Sequence, residues 1–446
     1  MAQSAAAPDT LLSLAGEIFF ETHRLVQRLK RDAIPEPSSL EVGATSAVWD
    51  THSGEIETAR TAIAGLTKQL MKLLDGPQGF LHEYVSSNWD HGALYTLLEF
   101  GILEKIPLEK QDGGGSSSCG VHVSELATHS GIPEDKLLCI LRLNACEGIV
   151  KEVAQGVFGH TAISEQLVQD AKFRAFIGFQ LFETRVASAH LADTLKRKPN
   201  EYWTGHWGKP MYDWHRDHPD KGKRFQLAME GVSQTLDPGN SLFRDWFTKS
   251  SKTAHHLVIE VGGGDGPVSR FLAEEFPALS FQVQVQDKAL ITQRQQSLSP
   301  QLPGRIQFQH HDLFTPQQQQ QLPEGTRLVY IIRNILWNLP DERCIQLLQT
   351  FIPVMADTAN SEVVILVNDL LSPAPGTFAP HVEKAYRRRD VTLTTMHNVK
   401  QRTEAEWRAL FEKASPDFRV TLTTGFTSHA CRGLWELHWT GGKEIS

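Results

Sequence analysis

The residues best suited to chemistry lie in Leu257-Val258-Ile259-Glu260-Val261-Gly262-Gly263-Gly264-Asp265-Gly266. A β-branched apolar run ends in a carboxylate and breaks into glycines, whose bare backbone lets a ligand approach closely. Pro267 to Phe276 then has helical spacing, with Val268, Phe271, Leu272 and Phe276 on one face. Strand, glycine turn and helix start together make a nucleotide-binding corner, although the same turn could simply permit close helix–strand packing. A second carboxylate, Asp287, stands about 20 residues further on, after the apolar run Phe281–Val285, where it can accept from both hydroxyls of a ribose.

The identity of the nucleotide follows from the charges. A dinucleotide site favours Gly-x-Gly-x-x-Gly, whereas here Gly266 is followed by Pro267 and Val268. Glu260 would repel a pyrophosphate but suits a cationic or amine-bearing ligand. S-adenosylmethionine, with its sulfonium, ammonium and ribose, fits a site with an acid at each end. Gly262, Gly263 and Gly264 would then form the cradle.

These residues need strands to hold them. Apolar runs at Leu257–Val261, Phe281–Val285, Ile306–His310, Leu328–Ile332, Val363–Val367 and Phe418–Thr423 alternate with helical patterns. That alternation predicts a parallel sheet covered on both faces. Gln317–Gln321 reads as a loop. N-terminal to it, helical patterns occupy residues 1 to about 80, with loops expected at Ala33–Ala47 and at the Gly/Ser-rich Gln111–Gly120. Val123–His129, Pro133–Cys146, Ile149–Val153 and Val157–His160 read as two helices and a β-wing, a winged helix. Its second helix opens on acids and offers only Lys136 and Arg142, too little for base readout, so packing or dimerisation is expected rather than nucleic-acid binding. Phe173–Leu195 reads as one long helix, followed by an aromatic segment from Tyr202 to Trp214 that is either a lid or packing. The expected division is a helical and winged-helix domain over residues 1–170 and a cofactor-binding domain over 171–446.

Bulk properties agree with a soluble cytoplasmic enzyme. The chain has 446 residues, 40% hydrophobic and 22% charged, with a formal net charge of −8 that disfavours polyanionic partners. No apolar run reaches the roughly 20 residues a membrane span needs, and Met1–Thr10 lacks signal-peptide character. Cys119, Cys139, Cys146, Cys344 and Cys431 are scattered without metal-ligand spacing, so neither disulfide framework nor metal centre is expected.

Across roughly residues 90 to 440 the sequence resembles the small-molecule O-methyltransferases of the plant caffeate type and their fungal relatives. Glu260–Gly266, Asp287, Asp312-Leu313-Phe314 and Arg333 through Cys344 match that pattern in order, as do Pro210-Met211-Tyr212 and Arg402-Thr403-Glu404. The resemblance implies a Rossmann-like class I S-adenosylmethionine-binding methyltransferase domain behind a winged-helix dimerisation domain, and hence a homodimer acting on a small molecule. It also implies that Gly262, Gly264 and Asp287 hold the cofactor, that Asp312 and Leu313 meet the adenine, and that Arg333 closes the site.

The catalytic positions depart from that pattern. The family's base is a histidine in Ile-Leu-His-Asp-Trp-x-Asp-Glu; here the stretch is Ile335-Leu336-Trp337-Asn338-Leu339-Pro340-Asp341-Glu342. Trp337 cannot accept a proton at neutral pH. The two orienting glutamates correspond to Asp369 and Gln401. An intact cofactor motif with a lost base resembles the O-methyltransferase-like pericyclases of fungal polyketide–pyridone pathways, which retain the cofactor while catalysing dehydration, hetero-Diels–Alder or Alder-ene steps. His160, Thr235, Arg333, Asn334, Asp369 and Gln401 are then the candidate polar contacts, and Trp337 a cavity wall. The alternatives are a true O-methyltransferase whose acceptor is acidic enough to need no histidine, or which recruits His160 or His397, and a non-catalytic cofactor-binding partner.

Overall fold

The computed structural model describes residues 10–37, 54–108, 120–197, 202–235, 239–250, 256–286, 288, 291–298, 302, 304–320, 323, 326–356, 362–426 and 431–441. Asp287, Cys119, most of Ala33–Ala47 and Gln111–Gly120 except its last residue lie outside them. Two compact units emerge: Met1–His190 with Tyr212–Thr235 and Ala379–Val382, and Leu191–Met211 with Leu236–Phe378 and Glu383–Ser446. The single break expected after residue 170 is therefore not how the chain divides. The helix Ala171–Phe179 packs along the helix Pro219–Thr235 and stays with the N-terminal unit. The aromatic segment is shared out, with buried Trp203 and Met211 in the second unit and buried Trp214 in the first.

In the first unit, helical residues Gly54–Glu99 break at Gly76, whose φ of 64° precedes Pro77. Proline removes a helix donor and its ring crowds the preceding turn, so the chain must bend there. The winged helix forms as expected. Strands β1 (Val121–His122), β2 (Val150–Ala154) and β3 (Val157–His160) pair antiparallel in the order β1-β3-β2, against helices Val123–Ser130 and Glu134–Cys146. Leu97, Ile102, Leu126, Leu137, Leu141 and Phe158 fill its core. Lys136 and Arg142 are paired with Asp135 and Glu152. The expected long helix is interrupted by a π turn at Gln180–Thr184. That turn buries Glu183 completely, 2.7 Å from the Arg224 guanidinium.

The second unit is a seven-stranded sheet in the order β6-β5-β4-β7-β8-β10-β9. Its strands are β4 (His256–Val261), β5 (Ser280–Val285), β6 (Ile306–His310), β7 (Arg327–Arg333), β8 (Val363–Leu370), β9 (Phe418–Phe426) and β10 (Cys431–Trp439). The first five run parallel to one another, but β10 runs antiparallel to both β8 and β9. The sheet is thus mixed rather than parallel, and β10 is a strand the apolar runs did not reveal. Only residues 427–430 separate β9 from β10, too few for a parallel crossover. Strand order reverses between β4 and β7, and the crevice at the carboxyl ends of such strands is where ligands bind.

Candidate functional site

The glycine turn leaves β4 with Gly262, Gly264 and Gly266 at φ of 60°, 57° and 72°, a region that costs other residues strain. The glycines do different work. A Cβ on Gly262 would come within 2.7 Å of Ile335, and one on Gly263 within 2.6 Å of Glu260. A Cβ on Gly264 would meet nothing within 4 Å, so this position faces open space where a ligand can approach.

Glu260 does not present its carboxylate to that space. It is 3% exposed, and accepts from the backbone N–H of Val268 (3.3 Å) and Ser269 (2.8 Å) and from the Ser269 hydroxyl (2.6 Å). It caps the helix Pro267–Glu275, supplying partners for the orphan donors of a helix start. Burial pushes its carboxyl up while those donors pull it back. The reading of Glu260 as holder of a cationic ligand is therefore corrected: it holds the turn. Gly263→Ala should accordingly destabilise the unit by about 1–3 kcal/mol through overpacking against Glu260. Gly264→Ala should cost about 1 kcal/mol through its left-handed backbone, without crowding inside the protein. It should in addition weaken S-adenosylhomocysteine binding, which Gly263→Ala should do only in proportion to its loss of folded protein. Thermal melts and calorimetric titration of both variants separate the two roles; equal weakening of binding by the folded fraction of each variant would refute the distinction.

After β6, Asp312 accepts the Phe314 N–H at 3.0 Å, folding the Asp312–Phe314 turn on itself. Leu313 is buried beside Gly262, and the Arg343 guanidinium lies 3.5 Å from the Phe314 ring centroid. Behind the turn, Gln284 donates to Gln317 at 2.8 Å and the Gln317 amide donates to His311 Nε2 at 3.1 Å. Burial holds His311 below its usual pKa, which suits its acceptor role. Gln317, within the expected low-complexity loop, is 4% exposed and belongs to this support. Only its isolation from a strand or helix pattern concealed it.

At the end of β7, Arg333 donates to Asn240 at 2.6 Å. Asn334 adopts φ of 57° and accepts from Arg432 at 2.7 Å. The short turn Leu336–Asn338 follows, carrying Trp337 half-buried. The Trp337 indole N–H is buried and has no hydrogen-bond partner among the described residues. Asp369, at the end of β8, is fully buried, and one of its oxygens accepts the Leu336 N–H at 3.1 Å. Burial raises Asp369 to about 7 against the opposing pull of Arg432 and Arg402. Gln401 is 5% exposed and its amide donates to the Tyr386 carbonyl at 2.8 Å.

The fold therefore brings Arg333, Asn334, Trp337, Asp369 and Gln401 into one unit with the glycine turn. His160 is not among them. Its ring nitrogens bond Ser164 (2.9 Å) and the Ile106 carbonyl (2.9 Å), and it is 3% exposed, so it locks the wing. Thr235 ends the helix Pro219–Thr235 in the first unit, and its side chain lies outside the described residues. Burial lowers His397 to about 4. Among the described residues no cluster of His, Cys, Asp or Glu could hold a metal, and no helix is long and apolar enough to cross a membrane.

Comparison with known proteins places this geometry. The O-methyltransferase domain family matches residues 188–416. O-methyltransferase phnC of Penicillium herquei is 48% identical over 426 residues, covering 92% of this chain and 96% of its own. Among solved structures, LepI in complex with S-adenosylmethionine superposes with a TM-score of 0.68 at 16% identity, covering 96% of this chain and all (100%) of its own. OxaC with S-adenosylhomocysteine and oxaline reaches 0.70 at 17% identity, covering 96% and 100%. Cofactor turn, strand order and sequence thus agree, and the chain belongs to the O-methyltransferase family on the class I S-adenosylmethionine methyltransferase fold.

Proposed function

We propose that the protein uses S-adenosylmethionine to methylate a hydroxyl of a small phenolic or polyketide acceptor that is acidic enough to ionise without a histidine. The observation that carries this reading is the turn at Trp337. An indole stands at the base position while the glycine turn keeps its open approach at Gly264. The likeness to an O-methyltransferase over 92% of the chain supports methyl transfer. When bound, the cofactor supplies an electrophilic methyl group. Gly264 would admit it, and Leu313 and Phe314 would flank its adenine. Arg333 and Asp287 would complete the site, as the family resemblance implies. The chain's own share is positioning and water exclusion, which can supply much of a transfer rate when the nucleophile is already an anion. Incubation with methyl-labelled cofactor and a series of phenols of graded acidity tests this reading. Label in the acidic members supports it, and none in any member overturns it.

A second reading, a cofactor-retaining pericyclase, is favoured by the paired loss of ionisable groups at Trp337 and Gln401. A pericyclic step needs a folded conformer and a shaped wall rather than a base. Cyclised or dehydrated product with the cofactor unconsumed would select it. Saturable cofactor binding without any turnover would select a non-catalytic partner.

The proposed assembly is a homodimer. Leu81, Tyr84, Val85 and Trp89 are exposed along one helical run, as are Leu12, Phe19 and Phe20 on the helix Leu11–Arg31. Large apolar side chains left in water along a helix are a feature of association faces. A monomer in sedimentation would remove the proposal.

A further inference from the structure

Asp369 occupies a position where the family resemblance implies an orienting carboxylate for a base, yet no imidazole is there to orient. The structure shows what it does instead. One carboxylate oxygen takes the Leu336 N–H at 3.1 Å. From the other side, Arg402 donates to the carbonyls of Leu336 (3.0 Å) and Leu339 (2.8 Å), and Cys344 Sγ also bonds the Leu336 carbonyl at 3.2 Å. Arg402 is itself fixed by Asp341, at 2.9 and 2.7 Å. Both the N–H and the C=O side of the turn are thus gripped by buried side chains.

We infer that Asp369 and Arg402 are positioning residues that clamp the Leu336–Asn338 turn and so fix the Trp337 indole as a rigid wall of the acceptor site. The inference rests on the proposed reading of Trp337 as a wall, but the clamp acts on the turn whatever the reaction. A carboxylate accepts backbone N–H bonds more strongly than a carboxylic acid does. The indole should therefore respond to the charge on Asp369. The ionisable groups facing Asp369 are Arg432 from β10, Arg402 ahead of the helix Glu404–Ala414, and Cys344 from the helix Asp341–Gln349, whose Asp341 is paired with Arg402. Burial holds the Cys344 thiol at about 12, so it stays neutral. The second Asp369 oxygen has no hydrogen-bond partner among the described residues, which is consistent with a group close to the boundary between its two states.

The test is fluorine NMR of full-length protein labelled with 5-fluorotryptophan, the Trp337 signal being assigned by its disappearance in Trp337→Phe. In the wild type that signal should shift with pH through one midpoint near 7. In Asp369→Asn it should stop shifting over the same range, with unchanged circular dichroism and retained S-adenosylhomocysteine binding showing that the variant is folded. Should Asp369→Asn fail to fold, Arg402→Lys keeps the charge beside Asp341 but loses the two-carbonyl grip, and should broaden the Trp337 signal at every pH. A wild-type signal that does not titrate, or titration that persists in Asp369→Asn, overturns the inference. So does an unbroadened Trp337 signal in Arg402→Lys. A protein that proves to cyclise rather than methylate would leave these spectra unchanged, so failure of the functional reading and failure of the clamp are distinguishable.

Discussion

Methyl transfer by this protein should follow the ionised fraction of its acceptor, so kcat/KM falls tenfold per pH unit below the acceptor's own pKa. A histidine base would flatten that dependence, because it removes the proton within the transition state. Such bases typically contribute about 10² to 10⁴ in rate. Trp337 carries only a donor N–H and offers no acceptor for a proton. For a simple phenol with a pKa of about 10, the ionised fraction at pH 7 is about 10⁻³, and the rate should be lower in proportion than for a pre-ionised acceptor of similar shape. Trp337→His should recover less than about tenfold of the base's usual contribution. The Gln401 amide is committed to the Tyr386 carbonyl and carries no charge to orient an imidazole, and the Asp369 carboxylate is engaged with the turn backbone. Initial rates with methyl-labelled cofactor across a pH series decide the matter. A pH-independent kcat/KM on a weakly acidic phenol, or a hundredfold gain in Trp337→His, would contradict it.

The parts of this site that the sequence exposed are those governed by local rules. Glycines at 262, 264 and 266 announce a backbone that must enter the left-handed region, and all three do. Continuous apolar runs announced six strands, and the winged helix followed from its periodicities. What stayed hidden depends on partners distant in sequence. Glu260 reads as a ligand group until the Ser269 backbone is seen nine residues on, closing over its carboxylate. His160 is indistinguishable by composition from a catalytic histidine, and only the Ile106 carbonyl, far from it in the chain, identifies it as a wing lock. Gln317 sits in a glutamine tract that has no periodicity, yet it is buried between Gln284 and His311. β10 mixes Gly433, Glu436 and His438 among its apolar residues, so its pattern is weak; pairing with β8 and β9 on both edges makes it a strand. Trp337 and Asp369 were visible as departures from a pattern. Their joint role in the Leu336–Asn338 turn required the hydrogen bonds themselves.

Asp369 should make the folded state less stable as pH rises, opposite to the usual behaviour of a paired carboxylate. Its carboxyl is raised from 3.8 to about 7 by burial, so the native state binds this proton more tightly than the unfolded chain does. The stability it contributes is complete below about pH 4 and is lost as pH climbs to about 7, beyond which the buried charge remains as a constant cost. Between those two pH values the native state holds a proton that the unfolded chain has released, and stability falls by about 1.4 kcal/mol for every pH unit crossed. Roughly 3 kcal/mol should therefore disappear between pH 5 and 8. Asp369→Asn has no proton to lose. At pH 5 the protonated Asp369 carries no charge for Arg402 and Arg432 to lose, and at pH 8 their attraction to the carboxylate is already contained in the value of about 7. Titrations elsewhere in the chain are shared by both proteins and cancel in the difference. Chemical denaturation of wild type and Asp369→Asn at pH 5 and 8 should therefore show their stability gap moving by about 3 kcal/mol in the variant's favour at the higher pH. A gap that stays constant would mean that Asp369 keeps one charge state across this range, and would leave its grip on the Trp337 turn without a proton to modulate it.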